Sequence, residues 1–231
     1  MIYLKLLLTA VFWGGTFIAG RFLASGVDPQ AAAFVRFGIA SLFLLAFTMR
    51  AEGRLPLLRK KQVLPVVLLG LTGVFAYNLL FFTGLRYIHA GRAALIIATN
   101  PVLISLLSAL FFKESLNWIK SIGICMSVIG AMVVISRGNL TYVAGYHLGF
   151  GELMIIGCVV SWVAYSLIGK IVMRGFSPLV SVTYSALVGT ILLAIPALNS
   201  GLAEGIGQYD ATEWCSLFYL GFFGTVLGFF W

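Results

Sequence analysis

The chain has 231 residues, of which 61% are hydrophobic and only 10% charged, with a formal net charge of +8. Soluble domains run at about 45–50% apolar and 25% charged, so this composition excludes a water-solvated globule and points to lipid as the solvent. The basic residues lie mostly between apolar runs, which fits membrane orientation rather than nucleic-acid binding.

Eight hydrophobic runs follow one another: Leu4–Leu23, Gln30–Met49, Val63–Leu85, Gly91–Phe112, Leu116–Ser136, Phe150–Lys170, Ser177–Leu198 and Trp214–Trp231. Crossing the hydrocarbon takes about 20 helical residues, which predicts an all-α integral membrane protein with about eight spans. The last is interrupted at Trp231. Transmembrane strands would be shorter and alternating. The first run leads directly into further spans without a cleavage site, so no separate signal peptide is expected.

Short connections such as Tyr87–Ala90 make neighbouring helices antiparallel. Pro29 and Pro178 each open a span, where a missing N–H costs nothing. With the N-terminus in the cytoplasm, Lys5, Arg50, Arg54, Arg59, Lys60, Lys61, Lys113, Lys120, Lys170 and Arg174 fall inside. Only Arg21, Arg86, Arg92 and Arg137 fall outside, and Arg36 is left within a span. The bias of ten to four predicts a cytoplasmic N-terminus.

A shift of 149 positions brings Trp13 onto Trp162, Gly20 onto Gly169, Arg21 onto Lys170 and Pro29 onto Pro178. A shift of 151 brings Gly70 onto Gly221 and Gly73 onto Gly224. The chain therefore reads as two repeats, 1–137 with five spans and 150–231 with three. An odd number of spans inverts the second copy, an arrangement that recurs in secondary transporters. Completion of the second copy would give ten spans in a 5+5 layout, so a C-terminally truncated chain is expected.

Arg36 sits inside the second span, where a charge costs about 2.5–3.5 kcal/mol on insertion scales and must face the bundle or a wet cavity. It either contacts an anionic group of a solute or snorkels to the outer interface or a helix-end carbonyl. Its counterpart at the 149 offset is Ser185. Asn100-Pro101 lies near the middle of the fourth span, where Pro101 cannot donate to the carbonyl of Ile97 and kinks the helix. The kink serves packing, or it opens backbone and the Asn100 amide to a cavity. Trp13 and Trp162 lie too deep for an interfacial belt; with Phe17, Tyr77, Asn78 and Tyr165 they wall a central pocket or simply pack. The glycines of the third and eighth spans are read as close-packing faces that can also slide.

Other chemistries find little support. Cys125, Cys158 and Cys215 are far apart and read as apolar packing residues; His89 and His147 are isolated, so neither metal nor cofactor is expected. Glu114 is read as a structural partner of Lys113, Lys120 or a helix end. No Asp or Glu lies deep in the complete spans, Glu152 being at an end, so a carboxylate for proton coupling is not visible. An enzyme would need a nucleophile, an acid–base pair or a metal cluster, and no Walker-type phosphate loop is present.

The chain resembles the EamA family of the drug/metabolite transporter superfamily over essentially its whole length. The resemblance rests on Phe12-Trp13-Gly14-Gly15-Thr16-Phe17, Ala33-Phe34-Val35-Arg36-Phe37, and Gly84-Leu85-Arg86-Tyr87 leading to Ala93-Ala94-Leu95. It continues through Asn100-Pro101, Phe112-Lys113-Glu114-Ser115-Leu116, Gly123 and Gly130 to Tyr219-Leu220-Gly221-Phe222-Phe223-Gly224-Thr225. It implies ten spans, both termini in the cytoplasm, and movement of small metabolites, with export of amino-acid-like or other small organic solutes across the cell membrane. The implied partners are a small-molecule substrate and the lipid bilayer, the chain acting as a monomer or weak homodimer. The alternative is a non-transporting or multidrug-type membrane subunit acting as a dimer. Four-span relatives of that type keep an acidic residue in the first span, and Leu4–Leu23 has none.

Overall fold

The computed structural model describes residues 2–113, 117–135, 148–173 and 175–230. Glu114, Arg137, His147, Arg174 and Trp231 lie outside the described residues, as does the pairing expected of Glu114. All the regular structure among the described residues is helical.

Helices α1 (Ile2–Gly26), α2 (Pro29–Glu52), α3 (Lys60–Tyr87), α4 (Ala90–Phe112), α6 (Phe150–Val172) and α7 (Pro178–Asn199) are each long and apolar enough to cross a membrane. Helix α5 is Trp118–Ile135, and α8 covers 211–230. Six of the eight expected runs thus qualify as spans among the described residues. The eighth is helical from Ala211, earlier than its apolar run, because Asp210 caps it: its side chain accepts from the backbone of Glu213 at 2.7 Å. The prolines act as expected, Pro29 and Pro178 each lying in the first turn behind a capping side chain, Asp28 and Ser177 respectively.

Large apolar residues stud the outer faces, with Ile18 72%, Leu42 72% and Ile191 69% exposed. Water would penalise such a surface; lipid does not. The main core collects where α1 and α3 end and α6 begins, around Leu23, Val27, Phe81, Phe82, Leu85 and Ile155. At the opposite end of α1, Ile2 to Leu7 are exposed. A second, smaller core of Val66, Leu69 and Val172 forms where α3 begins and α6 ends.

Helices α2 and α7 pack against each other. Ser41 Oγ meets Thr190 Oγ1 at 2.9 Å and Thr48 Oγ1 meets Thr183 Oγ1 at 2.7 Å. One residue number rises as the other falls, so the pair is antiparallel. Hydrogen bonds of this kind between membrane helices contribute about 0.6–2 kcal/mol each.

Helices α3 and α8 each widen into a π segment, Gly70–Ala76 and Tyr219–Leu227. Glycine allows the close approach that accompanies them. A Cβ on Gly73 would overlap the Tyr165 ring, and one on Gly224 would press on the Thr16 methyl.

Two sequence expectations change. Cys158 is a buried packing residue, its thiol 3.4 Å from the Tyr77 carbonyl, but Cys125 and Cys215 are exposed on outer faces, which lipid accommodates. Glu152 is at a helix end as expected, yet it is buried, with Oε1 3.0 Å from Arg92 Nε, so the start of α6 is pinned to the start of α4. Replacing one partner of a buried polar pair costs about 1–3 kcal/mol. Glu152→Gln is therefore expected to lower the melting temperature in detergent, whereas Glu204→Gln, exposed on the short helix Leu202–Gly205, leaves it unchanged.

Candidate functional site

Within the bundle lies a cavity of about 670 Å³, walled by α1, α2, α3, α4, α6, α7 and α8. All eight residues singled out from the sequence, Trp13, Phe17, Arg36, Tyr77, Asn78, Asn100, Trp162 and Tyr165, border it. Trp13 is 38% exposed, beside the exposed Ala10 and Gly14. The other seven line the interior or its immediate rim.

Arg36 is only 8% exposed, so it does not snorkel. Its Nη1 donates to Asn78 Oδ1 at 2.9 Å and its Nη2 to Thr225 Oγ1 at 3.3 Å. Both acceptors are themselves oriented. Asn78 Nδ2 donates to the Val74 carbonyl at 2.7 Å, which turns its oxygen toward the guanidinium. Thr225 Oγ1 donates to the Leu220 carbonyl, five residues back, at 3.0 Å. Val74 and Thr225 each belong to one of the two π segments, and such irregular turns concentrate at functional sites. Arg36 is the one charged residue among the described residues lining the cavity. The site therefore carries a fixed positive charge in an apolar surround, suited to an anionic group.

The opposite wall comes from α4. As the proline predicts, the helix breaks at Ala98 and Thr99 and restarts at Asn100. Thr99 Oγ1 donates to the Ile96 carbonyl at 2.7 Å, holding the turn. The break does more than pack: it sets Asn100, Pro101 and Ser105 along the cavity, and Asn100 is only 6% exposed.

Aromatic rings form the remaining wall. Trp13 and Trp162 meet edge to face, their centroids 6.1 Å apart, and Trp162 stacks on Tyr165 at 5.2 Å. Tyr77 lies 5.3 Å from Trp162 and stacks on Phe81, which in turn packs against Phe17. Aromatic pairs of this geometry contribute about 0.5–1.5 kcal/mol each beyond buried area, so the wall is a cross-braced unit joining α1, α3 and α6. Among the described residues no group of three or more His, Cys, Asp or Glu could hold a metal ion.

A family model described as "EamA-like transporter family" matches residues 1–136 and 149–231. The chain belongs to the EamA-like transporter family. It is thus a multi-pass membrane protein of a family that transports, rather than one that catalyses a reaction. The uncharacterized transporter YyaM of Bacillus subtilis is 28% identical over 230 residues, which cover 100% of this chain and 75% of that protein. A protein of Streptantibioticus cattleyicolor named "Probable terminal-alkyne amino-acid exporter" is also 28% identical, over 97% of this chain and 72% of its own length. A solved crystal structure, 21% identical, shares the fold with a TM-score of 0.67, covering 98% of this chain and 76% of the other.

In this EamA-like chain, sequence reasoning missed Thr225 as a partner of Arg36, although Gly221 and Gly224 beside it were noted. Thr225 lies 189 residues away from Arg36 and no local pattern links them. Lys170, read from the sequence as an orienting charge and as the repeat mate of Arg21, reaches back to Ser108 Oγ at 2.9 Å, tying the ends of α6 and α4.

Proposed function

We propose that the protein is a secondary transporter that moves small organic solutes, amino-acid-like ones foremost, through the Arg36 cavity by alternating access. The observation that carries this reading is a buried arginine held between Asn78, just past one π segment, and Thr225, within the other, its guanidinium lining a cavity of about 670 Å³ in a family of transporters. Drug-sized ligand sites run about 300–1,000 Å³, so a metabolite fits with water to spare. Export is the proposed direction, and the amino-acid exporter named among the relatives supports it.

The moving parts are two inverted repeats, 1–137 and 150–231, in a ten-span 5+5 plan. Several contacts favour this division. Trp13 touches Trp162 and Ser41 bonds Thr190, each pair separated by 149 residues, as expected for positions on a common twofold axis. The π segments, at Gly70–Ala76 and Tyr219–Leu227, occupy matching places. The tight contact of Gly73 with Tyr165 has its counterpart in Gly224 with Thr16. A near-twofold bundle can rock between two shapes of similar energy by exchanging the roles of its halves. The ten-to-four basic bias puts the N-terminus in the cytoplasm. The core around Leu23 and Phe81 then lies toward the outside and the smaller core around Val66 and Val172 toward the cytoplasm.

Counterflow in proteoliposomes tests the reading. Vesicles preloaded with an unlabelled L-amino acid mixture should take up labelled amino acid transiently above the level of protein-free vesicles. Uptake no faster than in protein-free vesicles across the panel would refute it.

A further inference from the structure

Two buried side-chain atoms lack a hydrogen-bond partner among the described residues: Arg36 Nε and Asn100 Oδ1. They are complementary, one a donor and the other an acceptor, and both residues line the same cavity. Each residue is more than nine-tenths buried. A buried polar group left unpaired costs about 1–3 kcal/mol, and more when charged. Native proteins keep few such atoms, and those they keep ask for a reason. Asn78 and Thr225 take one N–H from each terminal nitrogen of Arg36, so the wholly unpartnered Nε, with the remaining terminal N–H beside it, is open to an incoming acceptor. The Asn100 oxygen is held in place by the helix restart that Pro101 imposes.

We infer that Asn100 is a specificity-determining residue: its Oδ1 demands a hydrogen-bond donor, an ammonium or amide N–H, on a solute whose carboxylate or other acceptor is taken by Arg36. The inference rests on the reading of the cavity as a solute site and adds which solutes it prefers. A solute with both groups satisfies both orphan atoms at once. A simple carboxylate leaves the Asn100 oxygen unpaired when the cavity dries around it, and a simple amine leaves Arg36 facing an apolar group. Sites built to hydrogen-bond a substrate group reject analogues that lack it, because their own buried polar atoms then go unpaired. The aromatic wall of Trp13, Trp162 and Tyr165 accepts an apolar or ring-bearing remainder without adding polar demands.

The test is equilibrium binding to the purified protein in nanodiscs, read by quenching of tryptophan fluorescence and checked by calorimetry. The probes are L-phenylalanine, 3-phenylpropionate, which lacks the ammonium, and phenethylamine, which lacks the carboxylate. L-Phenylalanine should bind at least about tenfold more tightly than either analogue. In Asn100→Leu its advantage over 3-phenylpropionate should vanish, with 3-phenylpropionate binding as tightly as before or more tightly. Asn100→Asp keeps an acceptor at the same place and should retain the advantage. That variant, with the three probes on the unaltered protein, keeps the test decisive should Asn100→Leu fail to fold. Equal binding of L-phenylalanine and 3-phenylpropionate to the unaltered protein, or an advantage that survives in folded Asn100→Leu, would overturn the assignment of Asn100 alone. Absence of binding by all three probes to folded protein would overturn the cavity as a solute site, and this inference with it.

Discussion

Arg36→Gln is expected to reduce solute movement by at least about 30-fold while leaving the protein folded. The guanidinium is the one charge on the cavity wall among the described residues, and it is buried. Losing one partner of a buried, hydrogen-bonded charge pair costs about 2–5 kcal/mol, and each 1.4 kcal/mol is about tenfold in affinity. The fold should tolerate the change, because glutamine is smaller, neutral and still able to donate to Asn78. Removing a charge that has no acidic partner relieves desolvation rather than exposing a new ion. Arg36→Lys is the sharper comparison. Asn78 and Thr225 lie on α3 and α8, and the planar fork of arginine meets both. A lysine ammonium is a point charge on a flexible stem and cannot reproduce that geometry, so the lysine variant should recover only a small part of the lost rate. Uptake into proteoliposomes at matched protein load, with melting temperatures measured in parallel, decides the matter. Transport above half the normal rate in Arg36→Gln would reduce the arginine to a packing element.

Gly73→Ala is expected to destabilise the bundle and impair transport together. A single added methyl at this position overlaps the Tyr165 ring, which is stacked on Trp162 and cannot swing freely. Overpacking of a tight interior costs about 1–3 kcal/mol, a fall of several degrees in melting temperature for a chain of about this length. The damage does not stay local. Gly73 lies within the π segment that carries Val74, the acceptor that orients Asn78 and through it Arg36. Gly38→Ala provides the control, because nothing lies within 4 Å of an added methyl there. Glycine is a poorer helix former than alanine by about 1 kcal/mol, so that variant should be neutral or slightly more stable. Equal melting temperatures for the two variants would show that the Gly73 approach is not a packing constraint.

The relation between sequence and site differs residue by residue. Arg36 was legible because a charge in an apolar run has few tolerable reasons to be there, and Asn100 because the proline beside it must break the helix. Trp13 and Trp162 were legible through their common offset of 149 positions. The direction Arg36 faces was not. In water, a polar face marks the outside of a helix; in lipid, the outer face is as apolar as the core, so α1 and α2 are hydrophobic nearly all round and their rotation is invisible. The same loss of contrast hid the exposure of Cys125 and Cys215.

Long-range pairing was also beyond the sequence. Glu152 reads as a residue at a helix end, and only packing reveals Arg92 against it. Thr225 reads as an ordinary small polar residue until α8 is laid beside α2. The π segments depend on glycines pressed against Tyr165 and Thr16, contacts that exist only after the helices assemble.

By itself, then, the sequence determined that this protein is a bundle of membrane helices, where most of those helices begin to within a few residues, and which residues sit at odds with lipid. These are properties of single segments, set by run length, capping and the cost of burying charge. The tertiary structure alone decided that those residues share one cavity, that Arg36 is clasped between Asn78 and Thr225, and that Glu152 meets Arg92. Those outcomes depend on how helices rotate and cross, which is governed by close contact between side chains far apart in the chain.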